Sequence, residues 1–170
     1  KWEESDVFNP AATVKDGKII VLYRAEDNSA QGIGKRTSRI GYAESANGVT
    51  MERLDSPVLF PGADEFENIE CPGGCEDPRV AMTEDGLYVM LYTAWNRKTP
   101  RLAVATSNNL KNWTKHGLAF EKAYDGRFGR IATKSASILT KVKGGKLVID
   151  KVDGKYFMYW GEYAVHAAVS

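Results

Sequence analysis

The chain is short of the residues that most often announce chemistry. Among 170 residues there are two cysteines and two histidines, and no apolar run approaches the roughly 20 residues needed to span a bilayer. A zinc site needs about four ligands, and His116 and His166 lie far in sequence from Cys71 and Cys75. The same scarcity leaves no Ser-His-Asp order to defend, and no phosphate-cradling glycine loop is present. The segment Cys71-Pro72-Gly73-Gly74-Cys75 reads as two thiols or as one small loop-closing disulfide. Charge of one sign is also lacking: 23 basic and 22 acidic residues leave a net +1, which offers neither nucleic acid nor an anionic membrane a partner surface. No segment carries a 3.6-residue apolar period of helical length, and no secretory leader is visible. An apolar fraction of 43% and a charged fraction of 26% are ordinary for a soluble domain with a real core.

What the chain does have is a repeat. Asp16-Gly17, Asp85-Gly86 and Asp153-Gly154 are hairpin-turn dipeptides, 69 and 68 residues apart, and each Asp is followed seven residues later by an aromatic: Tyr23, Tyr92, Trp160. Asp-Gly suits a tight turn whose two central residues both take positive φ. The intervening runs, such as Lys18-Ile19-Ile20-Val21-Leu22-Tyr23, are rich in β-branched and aromatic side chains, as strands buried on two faces should be. A strand is predicted before each turn, at Pro10–Val14, Pro78–Met82 and around Ala136–Leu139. Another is predicted after it, at Arg39–Ser45, Arg101–Ser107 and within Ala164–Ser170. Asn47–Met51 and Asn108–Trp113 read as turn residues running into a short apolar stretch, the fourth strand of each unit. Four-stranded units in tandem predict an all-β fold of the β-propeller kind, here about two and a half antiparallel blades.

In a propeller the innermost strands line a central channel, and their starting residues converge at one end. The alignment puts Asn9-Pro10, Asp77-Pro78 and Lys134-Ser135 there. Glu76-Asp77-Pro78-Arg79 holds a carboxylate beside a proline. It reads either as a turn cap with a surface Glu76–Arg79 pair or as a directed functional acid. Arg24 offers a planar fork to vicinal hydroxyls, or an ordinary ion pair to Glu26 or Asp27. Arg39 and Arg101 recur at one blade position, which favours an inter-strand role. Glu162, beside Trp160, suits a sugar site or a solvated strand end.

The run Phe8-Asn9-Pro10-Ala11-Ala12, with Tyr23-Arg24-Ala25-Glu26-Asp27, Ser38-Arg39-Ile40-Gly41 and Gly74-Cys75-Glu76-Asp77-Pro78-Arg79, resembles glycoside hydrolase family 130. The resemblance implies a five-bladed propeller of which this chain is the N-terminal half, with units near 8–70, 71–130 and an incomplete 131–170. It implies an enzyme acting on β-mannosides. Asp77 would be the general acid, protonating the glycosidic oxygen through a sugar hydroxyl, and Asn9, Arg24 and Arg39 would hold the mannose. Phosphorylases of the family resemble one another in having basic residues where this chain reads Thr133-Lys134-Ser135 and Trp160-Gly161-Glu162. Lys134 keeps a cation for substrate there, whereas Glu162 would repel phosphate and activate a water. The expectation is thus inverting hydrolysis of a β-1,2-mannoside by Asp77 and Glu162, which needs carboxylates about 6.5–9.5 Å apart. The alternatives are a phosphorylase releasing mannose 1-phosphate, with inorganic phosphate as co-substrate, and a non-catalytic carbohydrate-binding propeller. No other cofactor and no metal is expected. The expected partners are an oligosaccharide and either the remaining blades or a second copy of the chain. The compartment is left open between bacterial cytoplasm and periplasm or cell surface.

Overall fold

The apolar runs around the three Asp-Gly dipeptides form antiparallel blades in the computed structural model, which describes residues 1–170. The first blade contains β1 (Asp6–Lys15), β2 (Lys18–Glu26), β3 (Ser38–Ser45) and the short β4 (Glu52–Arg53). A single helical turn, α1 (Glu67–Glu70), leads to the second blade, β5 (Gly74–Met82), β6 (Tyr88–Trp95), β7 (Pro100–Ser107) and β8 (Thr114–Leu118). The third has β9 (Ser135–Ile138), a hairpin of β10 (Thr140–Lys143) and β11 (Lys146–Ile149), then β12 (Lys151–Val152), β13 (Lys155–Gly161) and β14 (His166–Val169). All pairings within blades are antiparallel. Successive blades touch through single parallel bridges, Ser38 with Gly74 and Val148 with Met82. The chain is therefore all-β and built of propeller blades.

The second strands of the first two blades, β2 and β6, are buried on both faces along most of their length, whereas β13 buries only Trp160. Ile20 and Leu22 of β2 face Tyr88, Met90 and Tyr92 of β6, in a cluster that also takes in Ile40, Tyr42, Cys75 and Leu110. The opposite face of β6 sends Leu91 to meet Leu102, Phe120, Ala136 and Trp160. Each fully buried Leu, Ile or Met contributes about 1.5–3 kcal/mol. Period-two patterning thus welds each blade to the next. Cys71 and Cys75 are free thiols, with Cys75 inside the first cluster, so the loop-closing disulfide is not formed.

Three expectations need correction. Asp16 (φ 52°) with Gly17 (φ 75°), and Asp153 (φ 50°) with Gly154 (φ 78°), form the two-residue turn. Asp85-Gly86 does not: the Thr83 hydroxyl and amide close a longer loop onto Leu87, and only Gly86 takes positive φ. Asn47–Met51 and Asn108–Trp113 are not strands. In each, a Ser and an Asn side chain accept backbone amides: Ser45 and Asn47 in the first, Ser107 and Asn109 in the second. The fourth strands begin only afterwards. The third unit also carries the unforeseen β10–β11 hairpin, turned by Gly144 (φ 57°) and Gly145 (φ 78°), a Gly-Gly turn signal in its own right.

The seam between the first two blades leaves no room for a side chain. Gly74 sits at φ 106°, and a Cβ there would fall 2.0 Å from the Ser38 carbonyl oxygen. Gly74→Ala should therefore cost about 3 kcal/mol or more. Gly17→Ala, in open space, should cost only the left-handed strain of about 1–2 kcal/mol. Thermal or urea unfolding of the two variants checks the contrast.

Candidate active site

The aromatic of the repeat marks the place where the inner strand buckles. Asn9 and Pro10 together stand opposite Tyr23, and Asp77 and Pro78 together stand opposite Tyr92, so β1 and β5 each carry a bulge at the same point. Asn9 (φ 45°) and Asp77 (φ 51°) are both left-handed and both precede proline. That conformation is disfavoured before proline and costs on the order of 1–3 kcal/mol. The bulges aim the two side chains at each other, and the Asn9 amide donates to Asp77 Oδ1 at 2.8 Å. In β9 the pairing runs without a bulge, Ala136 alone facing Trp160. Lys134 and Ser135 are therefore not the third copy of Asn-Pro and Asp-Pro. Lys134 instead precedes the strand and reaches back with its ammonium, 3.0 Å from Glu76 Oε2 and 3.5 Å from Asp77 Oδ2.

Arg24 lies at the centre of this group and is 2% exposed. Its Nε donates to Ser38 Oγ (3.1 Å), its Nη1 to Asp77 Oδ1 (3.1 Å), and its Nη2 to Glu26 Oε1 (2.5 Å) and Glu76 Oε1 (2.8 Å). The Phe8 ring covers the guanidinium plane, 4.6 Å from its carbon. Glu76 is buried and shared between Arg24 and Lys134, so it forms no surface pair with Arg79. The ion pair of Arg24 expected with Glu26 or Asp27 is formed with Glu26, whose other oxygen, Oε2, has no hydrogen-bond partner and lies 3.6 Å from Arg36. Arg36 is in turn paired with Asp6.

These contacts set the ionisation. Burial pushes the Asp77 carboxyl up, but the Asn9 hydrogen bond and the charges of Arg24 and Lys134 outweigh it and hold it below the ordinary range. For Glu76 burial prevails over Arg24 and Lys134, and its carboxyl is raised. In the unliganded site Asp77 is thus the more readily ionised of two adjacent carboxyls.

The other expected site residues stand nearby but separately. Arg39 donates to Asp27 Oδ2 at 2.8 Å rather than to Asp77. Burial raises the Asp27 carboxyl, but hydrogen bonds from Ser29 and Arg39 bring it down to about 2. Glu162 follows Gly161, which pairs with Ser135, so it leaves β13 at the end of the blade where Lys134 leaves β9. It is exposed, forms no ion pair, and shares a cleft of about 410 Å³ with Arg79, Tyr159 and Tyr163. No three His, Cys, Asp or Glu side chains are grouped to hold a metal ion. The arrangement offers a directed carboxylate, sugar-compatible donors and aromatics, and a second, unengaged carboxylate.

Comparison with known proteins gives this geometry a context. The family model of glycoside hydrolase family 130, described as β-1,4-mannooligosaccharide phosphorylase, matches residues 3–170. A curated 1,2-β-oligomannan phosphorylase of Thermoanaerobacter sp. (strain X514) is 32% identical over 167 residues, covering 96% of this chain and 48% of that protein. The solved structure of a candidate glycoside hydrolase from Bacteroides ovatus ATCC 8483 is 74% identical with a TM-score of 0.92, covering 99% of this chain and 48% of that one. Another, 64% identical with a TM-score of 0.96, covers 99% of this chain and 47% of that one. It comes from a description of family 130 mannoside phosphorylases as containing glycoside hydrolases that target β-1,2-mannosidic linkages in Candida mannan. The chain spans about half the length of the relatives it matches.

Two outcomes follow from the electrostatics. Arg24→Met leaves the buried Glu26 and Glu76 and the half-buried Asp77 short of a cation and should cost about 3–5 kcal/mol in denaturant unfolding. Asp27 has a folded value of about 2 against an ordinary 3.8, so its stabilisation is complete above pH 3.8 and disappears as pH falls towards 2. The stability gap between the parent and Asp27→Asn should therefore be full near neutrality and close across that acid window.

Proposed function

Because this chain belongs to glycoside hydrolase family 130, we propose that the protein it forms hydrolyses β-linked mannosides, with β-1,2 linkages first among them, and inverts the anomeric centre. Asp77 acts as the acid and Glu162 as the base. The observation that carries hydrolysis over phosphorolysis is the engagement of Lys134. Its ammonium is spent on Glu76 and Asp77, and the neighbouring strand end presents the unpaired carboxylate of Glu162. A phosphate dianion wants guanidinium or ammonium forks and is repelled by a carboxylate, whereas an attacking water needs an acceptor there.

The acid works against the resting electrostatics. Asp77 is held ionised by Asn9, Arg24 and Lys134, so the sugar must take over part of that hydrogen bonding. Hydroxyls that bind Asn9 and Lys134 withdraw support from the carboxylate, and exclusion of water disfavours its charge further. The proton then passes to the glycosidic oxygen through a sugar hydroxyl, and Glu162 deprotonates the water on the opposite face. Arg39 and Arg24 hold the mannose unit.

Phosphorolysis is the second reading. The curated relative named a 1,2-β-oligomannan phosphorylase and the family model's own description favour it. On that reading inorganic phosphate is the co-substrate. The two separate on a panel of mannobioses assayed with the full-length protein, with and without phosphate. Hydrolysis predicts mannose from a β-1,2-mannobiose at a rate indifferent to phosphate; strict phosphate dependence with mannose 1-phosphate as product assigns the phosphorylase. Asp77→Asn should abolish turnover, and Glu162→Gln should lower kcat about 10²–10⁴-fold while leaving KM nearly unchanged.

A further inference from the structure

The blade end that carries Asp77 also carries a second polar cavity, of about 740 Å³, lined by 13 residues that all come from positions 65–130. Its place follows from register. Arg101 faces Ala94 one step from the Trp95–Gly74 pair, and Asp77 lies just beyond the Glu76–Thr93 pair. Arg130, on the cavity rim, is four residues from Lys134, so their Cα atoms are no more than about 14 Å apart.

The repeat explains why this cavity is open for business with a ligand. Arg39 and Arg101 occupy the same position in successive blades, each opposite an alanine, Ala25 and Ala94. In the first blade Arg39 is neutralised by Asp27. The matching residue in the second blade is Asn96, and its side chain is already committed to Asn68 and to the amides of Lys98 and Thr99. Arg101 is thus left without a carboxylate, and its Nε is buried with no hydrogen-bond partner. Arg101 lines the cavity with no carboxylate to neutralise it, and the outer N–H groups of its guanidinium can donate to a ligand acceptor.

The lining also discriminates between ligands. Arg101, Arg127 and Arg130 line it together with Glu65, Glu121 and Asp125, and none of the six makes an ion pair. Three cations and three anions cancel, so an anion or a metal ion meets as much repulsion as attraction. A neutral polyol does not: each hydroxyl both donates and accepts, and can bridge a carboxylate to a guanidinium. The half-buried Phe66 supplies a ring for the apolar face of a pyranose. We propose that this cavity is a distal saccharide subsite, which holds sugar units of a mannoside chain beyond the pair bound for cleavage. It rests on the mannoside reading above and adds that the preferred substrate is longer than a disaccharide.

Calorimetry on the full-length protein in an Asp77→Asn background, with β-1,2-linked mannobiose and mannotetraose, tests it apart from turnover. The tetraose should bind at least about tenfold tighter than the biose, and Arg101→Met or Arg130→Ala should bring the two within about threefold. Equal affinities in the parent, or a chain-length gain that survives both substitutions, would overturn the proposal. So would an equal fall for both sugars, which would put the effect in the fold or in the cleavage pocket. Absence of hydrolysis with the gain intact removes the hydrolase reading and leaves this site standing. Hydrolysis of mannobiose without any gain does the reverse, and no binding of either sugar removes both.

Discussion

One guanidinium, that of Arg24, spans the seam between two blades and fixes the rest of the site. It draws together Glu26 of its own strand, Ser38 of the next, and Glu76 and Asp77 of the neighbouring blade. Desolvating an arginine and its carboxylates is expensive, and only near-complete hydrogen bonding offsets it. A lysine would not serve, because three separate directions must be satisfied from one rigid plane. With Arg24 in place, Asp77 has one orientation, Asn9 can reach it, and Lys134 is drawn in from the third blade by the remaining negative charge. Gly74 permits this, since the blades approach at Ser38 more closely than any Cβ allows.

Repetition and its failures divide the labour. Both inner strands buckle opposite the repeat aromatic, but the residue ahead of the bulge is Phe8 in the first blade and Glu76 in the second. The first covers the guanidinium and the second binds it. Facing them, Arg24 in one blade corresponds to Thr93 in the next, and Thr93 is used to anchor the Lys134 carbonyl. A rigid scaffold of matched strands thus acquires a site wherever equivalent positions hold different residues. The strain of two left-handed residues before proline is carried by the blades around them.

Much was legible in the chain itself. Period-two burial, the Asp-Gly spacing and the aromatic seven residues on are local signals, and local backbone preference decides strands and two-residue turns. Asn9 and Asp77 could be picked out because both precede proline at the same blade position, and Arg24 because a planar fork at a strand end suits vicinal hydroxyls. The fourth strands were misplaced because Ser and Asn side chains hold the backbone in loops that resemble strands in composition. The Asp85-Gly86 turn was misread because one hydroxyl, that of Thr83, selects a longer closure.

By itself, then, the sequence determined the blade repeat, the all-β class, the kinship with mannoside-acting enzymes, and which side chains were worth asking about. Only the tertiary structure decided who bonds to whom. Glu76 turned from a surface partner of Arg79 into a buried bridge, Arg39 went to Asp27, and Lys134 reached a carboxylate pair 57 residues back from a strand without a bulge. The reason is physical: strand identity depends on neighbours along the chain, whereas the pairing of charges depends on burial and on distances of a few ångströms between strands that sequence order leaves far apart.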